Sequence, residues 1–260
     1  MRRHRFIIDS DLSQPSLTVS KPDLVHQWRE VLKLKLDEEI LLSDGKGENK
    51  TAKIVKMDKT KIEIEILATP HTKYQILNTL RPVTLYCAIL KGDNFEWVVQ
   101  KATEVGVVKV VPIITEHIVK TGLNRARLER IMKEASEQCG RAVVPEFGEP
   151  IKLGDALKIE NEIKIFCDFT DTQFVPERDL TLPSPLQRRG RERFLLSSAE
   201  ERTGREVSQS IAVFVGPEGG WSKAERAAAE KTDCLIRSLG PLTLRAETAA
   251  VVASYLATSL

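Results

Sequence analysis

Long apolar runs are missing from this chain of 260 residues. None approaches the roughly 18–20 consecutive apolar residues that a membrane-crossing helix needs, so no membrane association is expected. Cysteine is scarce, and Cys87, Cys139, Cys167 and Cys234 stand far apart, with no C-x-x-C pair. Buried, reduced thiols are therefore expected in place of a disulfide framework or a zinc site, and no metal is expected. His4, His26, His71 and His117 form no ligand cluster and no nucleophile–base pair, so surface or partner-facing positions are expected for them. An excess of one charge is also lacking, because 39 basic residues face 37 acidic ones. The global balance therefore names no partner. After the basic start Met1-Arg2-Arg3-His4-Arg5-Phe6, only Ile7 and Ile8 precede Asp9. That is too short for the apolar region of a signal peptide, and a cytoplasmic location is expected.

What is there reads as an ordinary globular chain, 42% hydrophobic and 29% charged. At about 150 residues per domain, one or two domains are expected. Basic residues cluster locally even though the total is balanced. Residues 120–133 hold Lys120, Arg125, Arg127, Arg130 and Lys133 against Glu129 alone, and residues 188–193 hold four arginines against Glu192. With the arginines of the N-terminus, these clusters could track a phosphate backbone, or could be solvated faces.

The first seventy residues read as a small β-rich unit. Strands are expected at residues 6–8, 39–43 and 51–55, with the turn signal Asp44-Gly45-Lys46-Gly47 between the last two. Residues 61–66 alternate polar and apolar strictly, the period of a half-buried strand. One short helix is expected around Pro22 to Leu34, and several short strands suggest a small barrel.

The pattern changes between Pro70 and Pro82. A continuous apolar strand is expected at residues 83–90, then a helix from about Asp93 carrying Phe95, Val98, Val99, Ala102 and Val105 on one face. A strand at 109–114 and a helix at about 124–140 follow. Further strands are expected at 163–166, 194–196, 211–215 and 235–239, with helices from Ser222 and at the C-terminus. Alternating strands and helices predict an α/β fold with a mostly parallel sheet. The expected domains are 1–74 and 75–260. Residues 181–193, rich in proline and arginine, read as a mobile inserted loop.

Two stretches carry the chemistry. In Val215-Gly216-Pro217-Glu218-Gly219-Gly220-Trp221-Ser222-Lys223-Ala224-Glu225 an apolar strand runs into a glycine-rich turn. Ser222 and Glu225 then have the spacing of a helix capping box. Neither dinucleotide nor Walker phosphate spacing is present, so the turn is either a loop that approaches a ligand closely or a tight turn alone. In Leu239-Gly240-Pro241-Leu242-Thr243-Leu244-Arg245-Ala246-Glu247-Thr248-Ala249 a strand again ends in Gly-Pro and a helix follows. After Glu247 that helix carries no charge, so burial in the core or against a second subunit is expected. Arg245 and Glu247 then bring at least one charge near the interior, or pair with each other at the helix start.

Together these motifs resemble the RsmE family of ribosomal RNA methyltransferases, SPOUT-superfamily enzymes that methylate N3 of a uridine in 16S ribosomal RNA. Further matches are Lys91-Gly92-Asp93-Asn94 with Gln100-Lys101-Ala102-Thr103-Glu104-Val105-Gly106, and Glu137-Gln138-Cys139-Gly140-Arg141 with Pro145-Glu146. The resemblance spans nearly the whole chain. It implies a PUA-like RNA-binding β-barrel followed by a trefoil-knotted methyltransferase domain, a homodimer, and S-adenosylmethionine bound in the knot. By the same resemblance the cofactor lies against Gly216, Pro217, Glu218, Gly219, Gly220, Leu239, Gly240, Leu244 and Thr248, and against Leu196 after the strand at 194–196. Arg2, Arg3, His4, Arg5, Lys91, Arg127, Arg130, Gln138 and Arg141 become contacts to ribosomal RNA or the small subunit. Asn94, Glu96, Gln100, Lys101 and Gln138 become candidates for shaping the base pocket, or form polar helix faces turned to water. The family often carries arginine where this chain has Leu242 and His117.

Methyl transfer to the imide nitrogen of uracil needs the N3 proton removed and the resulting anion stabilised. Arg245 is the expected cation, and Glu247 or a water the expected proton acceptor. Two other readings stand beside this one. One is a ribose 2′-O-methyltransferase of the same superfamily, against which the Arg-Ala-Glu-Thr-Ala motif speaks. The other is a non-catalytic RNA-binding or ribosome-assembly factor that keeps the fold, to which Leu242 lends its support.

Overall fold

The computed structural model describes residues 3–67, 81–118, 122–160, 162–169 and 210–259. The chain forms two compact units, Met1–Asn78 with Glu129–Val144, and Thr79–Leu128 with Pro145–Leu260. The expected boundary at 74/75, Arg2, Leu196, the strand at 194–196 and the insertion 181–193 lie outside the described residues.

In the first unit, strands β1 (Arg5–Ile7), β2 (Ser16–Val19), β3 (Glu39–Ser43), β4 (Asn49–Met57) and β5 (Ile62–Leu67) form one sheet in the order β1-β3-β4-β5-β2. Only β1 and β3 run parallel. The alternation read at 61–66 does what its period requires: Ile62 and Ile64 are buried, joining Phe6, Trp28, Ile40, Leu42 and Ile54 in one core. Phe6 and Trp28 pack with ring centroids 4.5 Å apart. The β3–β4 turn closes on Asp44, whose Oδ1 accepts the backbone N–H groups of Lys46, Gly47 and Glu48 at 2.8–3.0 Å. Helix α1 (Pro22–His26) continues as a single π turn at Gln27–Val31 and stops short of the expected Leu34. The strand β2 was not expected, because Ser16-Leu17-Thr18-Val19 is too short to establish a period.

Residues 129–144 join this unit through specific bonds. The Ile7 N–H donates to Glu137 Oε1 at 2.7 Å, the Arg5 guanidinium donates to the Gly140 carbonyl, and Ser43 Oγ donates to the Ala142 carbonyl at 2.9 Å.

The second unit is built on seven strands, β6 (Val83–Ala88), β7 (Lys109–Ile114), β8 (Glu146–Phe147), β9 (Ile151–Lys152), β10 (Glu162–Cys167), β11 (Ser210–Val215) and β12 (Cys234–Arg237). They run in the order β12-β10-β11-β6-β7-β8, with β9 also on β7, and every pair is parallel. Helices α2 (Asn94–Glu104) and α6 (Ala246–Thr258) pack together, with α6 against β6 and β11. Helices α4 (Leu153–Ala156) and α5 (Lys223–Lys231) accompany a second core cluster containing Tyr86, Phe166, Phe214 and Ala229. Helix α3 (Arg125–Cys139) starts in this unit and ends in the first. Strand β6 is buried along its whole length, as a continuous apolar run in a parallel sheet should be.

One local expectation changes. Cys87 and Cys167 are buried, but Cys139 is exposed near the end of α3 and Cys234 is half-buried. Burial pushes the Cys167 thiol up to about 12, with Asp168 adding to it. The charge-free helix α6 is not buried all round within this chain. Its small face, Ala246, Ala250, Ala253 and Ala257, is inside, while Tyr255 is 60% exposed. Among the described residues no helix is long and apolar enough to cross a membrane, and no group of three or more potential metal ligands occurs.

Candidate functional site

Parallel strands deliver their following loops to one end of the sheet, and open α/β sheets bind ligands there. Three neighbouring strands, β10, β11 and β12, do this in the second unit. Their exits enclose a cavity of about 700 Å³, within the usual range of ligand sites. The β10 exit contributes Cys167, Asp168 and Phe169, and the β11 exit contributes the glycine-rich turn. The β12 exit contributes the segment from Ser238 into the first turn of α6, and Asn94 at the start of α2 completes the lining.

The glycine-rich turn is held tightly. Gly220 N–H donates to the Pro217 carbonyl at 2.9 Å, and Gly220 has φ +70°, a conformation that suits glycine. Gly216 is needed for a different reason: a β-carbon there would lie 2.9 Å from Cε2 of Trp221. The indole is itself fixed, donating from Nε1 to the Cys167 carbonyl at 2.8 Å and stacking on Phe166 with centroids 4.3 Å apart. Glu218 Oε1 accepts the Lys91 N–H at 2.9 Å, tying the turn to the β6 exit.

The capping box read from the sequence is present in full at the start of α5. Ser222 Oγ accepts the Glu225 N–H at 3.1 Å, and Glu225 Oε2 accepts the Ser222 N–H at 2.8 Å. Glu225 is buried, and its other oxygen accepts the Glu116 N–H from the β7 exit at 2.9 Å. One residue on, the His117 ring nitrogen Nδ1 lies 2.9 Å from the Gly220 carbonyl.

On the β10 side, Arg226 Nη1 donates to Asp168 Oδ2 at 3.0 Å and to the Phe169 carbonyl at 3.3 Å, while Asp168 N–H donates to the Arg237 carbonyl at 3.0 Å. The wall is thereby pinned, yet the Phe169 ring is 65% exposed. Across the cavity Leu242 is 75% exposed.

Of the residues expected at a cofactor, Gly216, Pro217, Glu218, Gly220, Leu239 and Leu244 line this cavity, as do Arg245 and Glu247. Gly219, Gly240 and Thr248 lie on the same segments without being among the described lining residues. Arg245 is exposed at the N-cap of α6, and Glu247 is half-buried in its first turn, so the charge nearer the interior is the carboxylate. Asp168, Phe169, Trp221 and Ser238 were missed. Asp168 and Phe169 became legible only with the strand order, which brings the β10 exit beside the other two.

The expected RNA-contacting side chains sit in varied surroundings. Arg3 pairs with Glu39 at 2.6 Å, Arg127 with the half-buried Glu96 at 2.6 Å and Arg130 with Glu134 at 3.8 Å, and all three arginines are exposed. His4, Lys91 and Gln138 are exposed. Arg5 and Arg141 are half-buried in the first unit, and burial lowers the Arg141 pKa.

With this geometry in hand, comparison with known proteins gives concordant results. Residues 78–258 match the family model of the RNA methyltransferase domain. A ribosomal RNA small subunit methyltransferase E of Rickettsia conorii is 30% identical over 259 residues, covering 97% of this chain and 94% of that protein. One of the same name from Aquifex aeolicus is 28% identical, covering 93% and 94%. Among solved structures, a ribosomal RNA small subunit methyltransferase E from Neisseria gonorrhoeae bound to S-adenosylmethionine superposes with TM-score 0.75 at 28% identity, covering 97% of this chain and 95% of that one. A methyltransferase from Legionella pneumophila, also in complex with S-adenosylmethionine, gives TM-score 0.76 at 25% identity, covering 100% and 98%.

Proposed function

The chain belongs to the ribosomal RNA small subunit methyltransferase E family, and on that premise we propose that it methylates N3 of a uridine in 16S ribosomal RNA, using S-adenosylmethionine. The observation that carries this reading is the cavity at the exits of β10, β11 and β12, walled by the two Gly-Pro loops.

The lining suits that cofactor. Phe169, Leu239, Leu242 and Leu244 give apolar surface for a flat heteroaromatic ring, and glycines let the backbone come close. With Asp168 paired to Arg226, the carboxylates Glu218 and Glu247 outnumber Arg245 in the lining and favour a cationic ligand. When bound, S-adenosylmethionine supplies an electrophilic methyl carbon on a sulfonium.

The residues of the chain divide the remaining work. The two loops bind and orient, which can lower a bimolecular barrier by about 7–11 kcal/mol. A Glu247 carboxylate oxygen accepts the N3 proton of uracil, directly or through a water. Arg245, whose guanidinium has no ion-pair partner among the described residues, stabilises the imide anion. Arg3, His4, Lys91, Arg127, Arg130 and Gln138 hold the RNA backbone. Arg127 and Arg130 can exchange their carboxylates for phosphates, since exposed ion pairs are worth about 0–1 kcal/mol. A PUA-like barrel in the first unit, a trefoil knot in the second, and a cytoplasmic homodimer complete the reading. The apolar outer face of α6, with Val251, Val252, Tyr255 and Leu256 incompletely covered, supports the dimer.

The test is transfer of labelled methyl from S-adenosylmethionine to small ribosomal subunits lacking the modification, with nucleoside analysis. Label in 3-methyluridine is the expected result, whereas label in a ribose, or none, overturns the proposal. In the same assay Arg245→Ala abolishes turnover and leaves cofactor affinity within about twofold; equal loss of both would move Arg245 to the cofactor site.

A further inference from the structure

The glycine-rich turn of residues 217–220 has a clamp that comes from outside its own segment. The β7 exit passes beside it, and its backbone is fixed by the buried Glu225 carboxylate through the Glu116 N–H, at 2.9 Å. That fixes where His117 begins. Its Nδ1 reaches the Gly220 carbonyl at 2.9 Å. A carbonyl oxygen only accepts, so the ring donates here, as Nδ1–H in the neutral or the cationic imidazole. The contact is close along the backbone as well: a β-carbon on Gly219 would come within 3.2 Å of His117 Cβ. Gly219 therefore leaves the room that the ring needs, and Gly220, at φ +70°, turns its carbonyl to meet it.

We propose that His117 is a positioning residue that latches the turn of residues 217–220 in its cofactor-binding form. This rests on the reading of that turn as part of the S-adenosylmethionine site. Pro217, Glu218 and Gly220 line the cavity, while His117 does not. It acts through the loop, without touching the ligand. On one side of the turn Trp221 is already fixed by the Cys167 carbonyl and the Phe166 ring. His117 supplies the corresponding hold from the β7 side. Without it the Gly220 carbonyl loses its donor, and cofactor binding must also order the turn.

Three variants separate this from a general loss of structure. His117→Ala removes the donor. His117→Asn keeps an N–H on the atom attached to Cγ, where Nδ1 sits. His117→Gln moves the amide one carbon too far. Amide hydrogen exchange over residues 216–222 of the ligand-free protein reads the latch directly, and calorimetry with S-adenosylmethionine reads its effect on binding. For one exposed hydrogen bond, exchange should quicken and affinity weaken about three- to tenfold in His117→Ala and His117→Gln, with His117→Asn close to the parent. The KM for RNA should not change. Unchanged exchange in His117→Ala, or His117→Asn no better than His117→Gln, overturns the latch. If the parent protein fails to bind S-adenosylmethionine while the exchange pattern holds, the cofactor reading fails and the latch stands.

Discussion

Adding a single methyl group at Gly216 tests how tightly the cavity wall is built. In Gly216→Ala the new β-carbon would meet Cε2, Cδ2 and Nε1 of Trp221 at 2.9, 3.1 and 3.2 Å. Real β-carbons do not approach so closely, so the indole must move. It has little freedom to do so, being held by the Cys167 carbonyl on its nitrogen and by Phe166 across its face. Overpacking of this kind costs about 1–3 kcal/mol, and a lost indole bond adds to it. Taking about 2 kcal/mol, at 2–4 °C per kcal/mol for a chain of this size, the unfolding midpoint should fall by about 4–8 °C. Gly216 and Trp221 both line the cavity, so affinity for S-adenosylmethionine should fall about tenfold or more, equivalent to about 1.4 kcal/mol. Gly154→Ala is the matched control. It lies in helix α4 with nothing within 4 Å of its added carbon, and should be neutral or stabilising. Calorimetric unfolding and ligand titration of the two variants decide the matter. A Gly216→Ala protein that melts and binds like its parent would refute the account of the wall.

Two further perturbations address other parts of the chain. Burial holds the Glu137 carboxyl above its usual range, outweighing the Ile7 N–H that it accepts. An acid with a raised folded pKa binds its proton more tightly when folded, so stability falls as pH rises from about 4.5, the ordinary value, through the folded one. Glu137→Gln keeps an acceptor for Ile7 and should be more stable than the parent at neutral pH, with the advantage shrinking towards pH 4.5; urea midpoints across that range would contradict this if the advantage grew in acid. Ser222→Ala removes the N-cap acceptor of α5 and should cost about 1 kcal/mol, a drop of about 2–4 °C in the unfolding midpoint.

Much of this architecture was legible from local pattern. The expected helix at 124–140 is Arg125–Cys139, the apolar strand at 83–90 is Val83–Ala88, and the Ser222–Glu225 spacing is a complete capping box. These elements have a period or a cap strong enough to decide their conformation alone. Strands β2, β8 and β9, two to four residues long, have neither, and exist because neighbouring strands offer them partners. The candidate site divides in the same way. Its glycine-rich loops announce themselves, since backbone approaching a ligand demands particular residues. Asp168 and Phe169 look like any strand exit until β10 is seen between β11 and β12. The exposed position of His117 fits its expectation, but its contact could not be read, because its partner is a backbone carbonyl 103 residues away, and a carbonyl leaves no mark on sequence.

Capping boxes generally accept glutamate or glutamine at the third helical position, since one side-chain oxygen is all that the cap needs. At Glu225 the cap occupies Oε2, and Oε1 is taken by the Glu116 N–H. Glutamine would present an amide NH₂ to one of those two donors, and aspartate would be a carbon too short. The ordinary tolerance of the motif is thus withdrawn at this position: a residue that local rules allow to vary is confined to one side chain by a contact more than a hundred residues away.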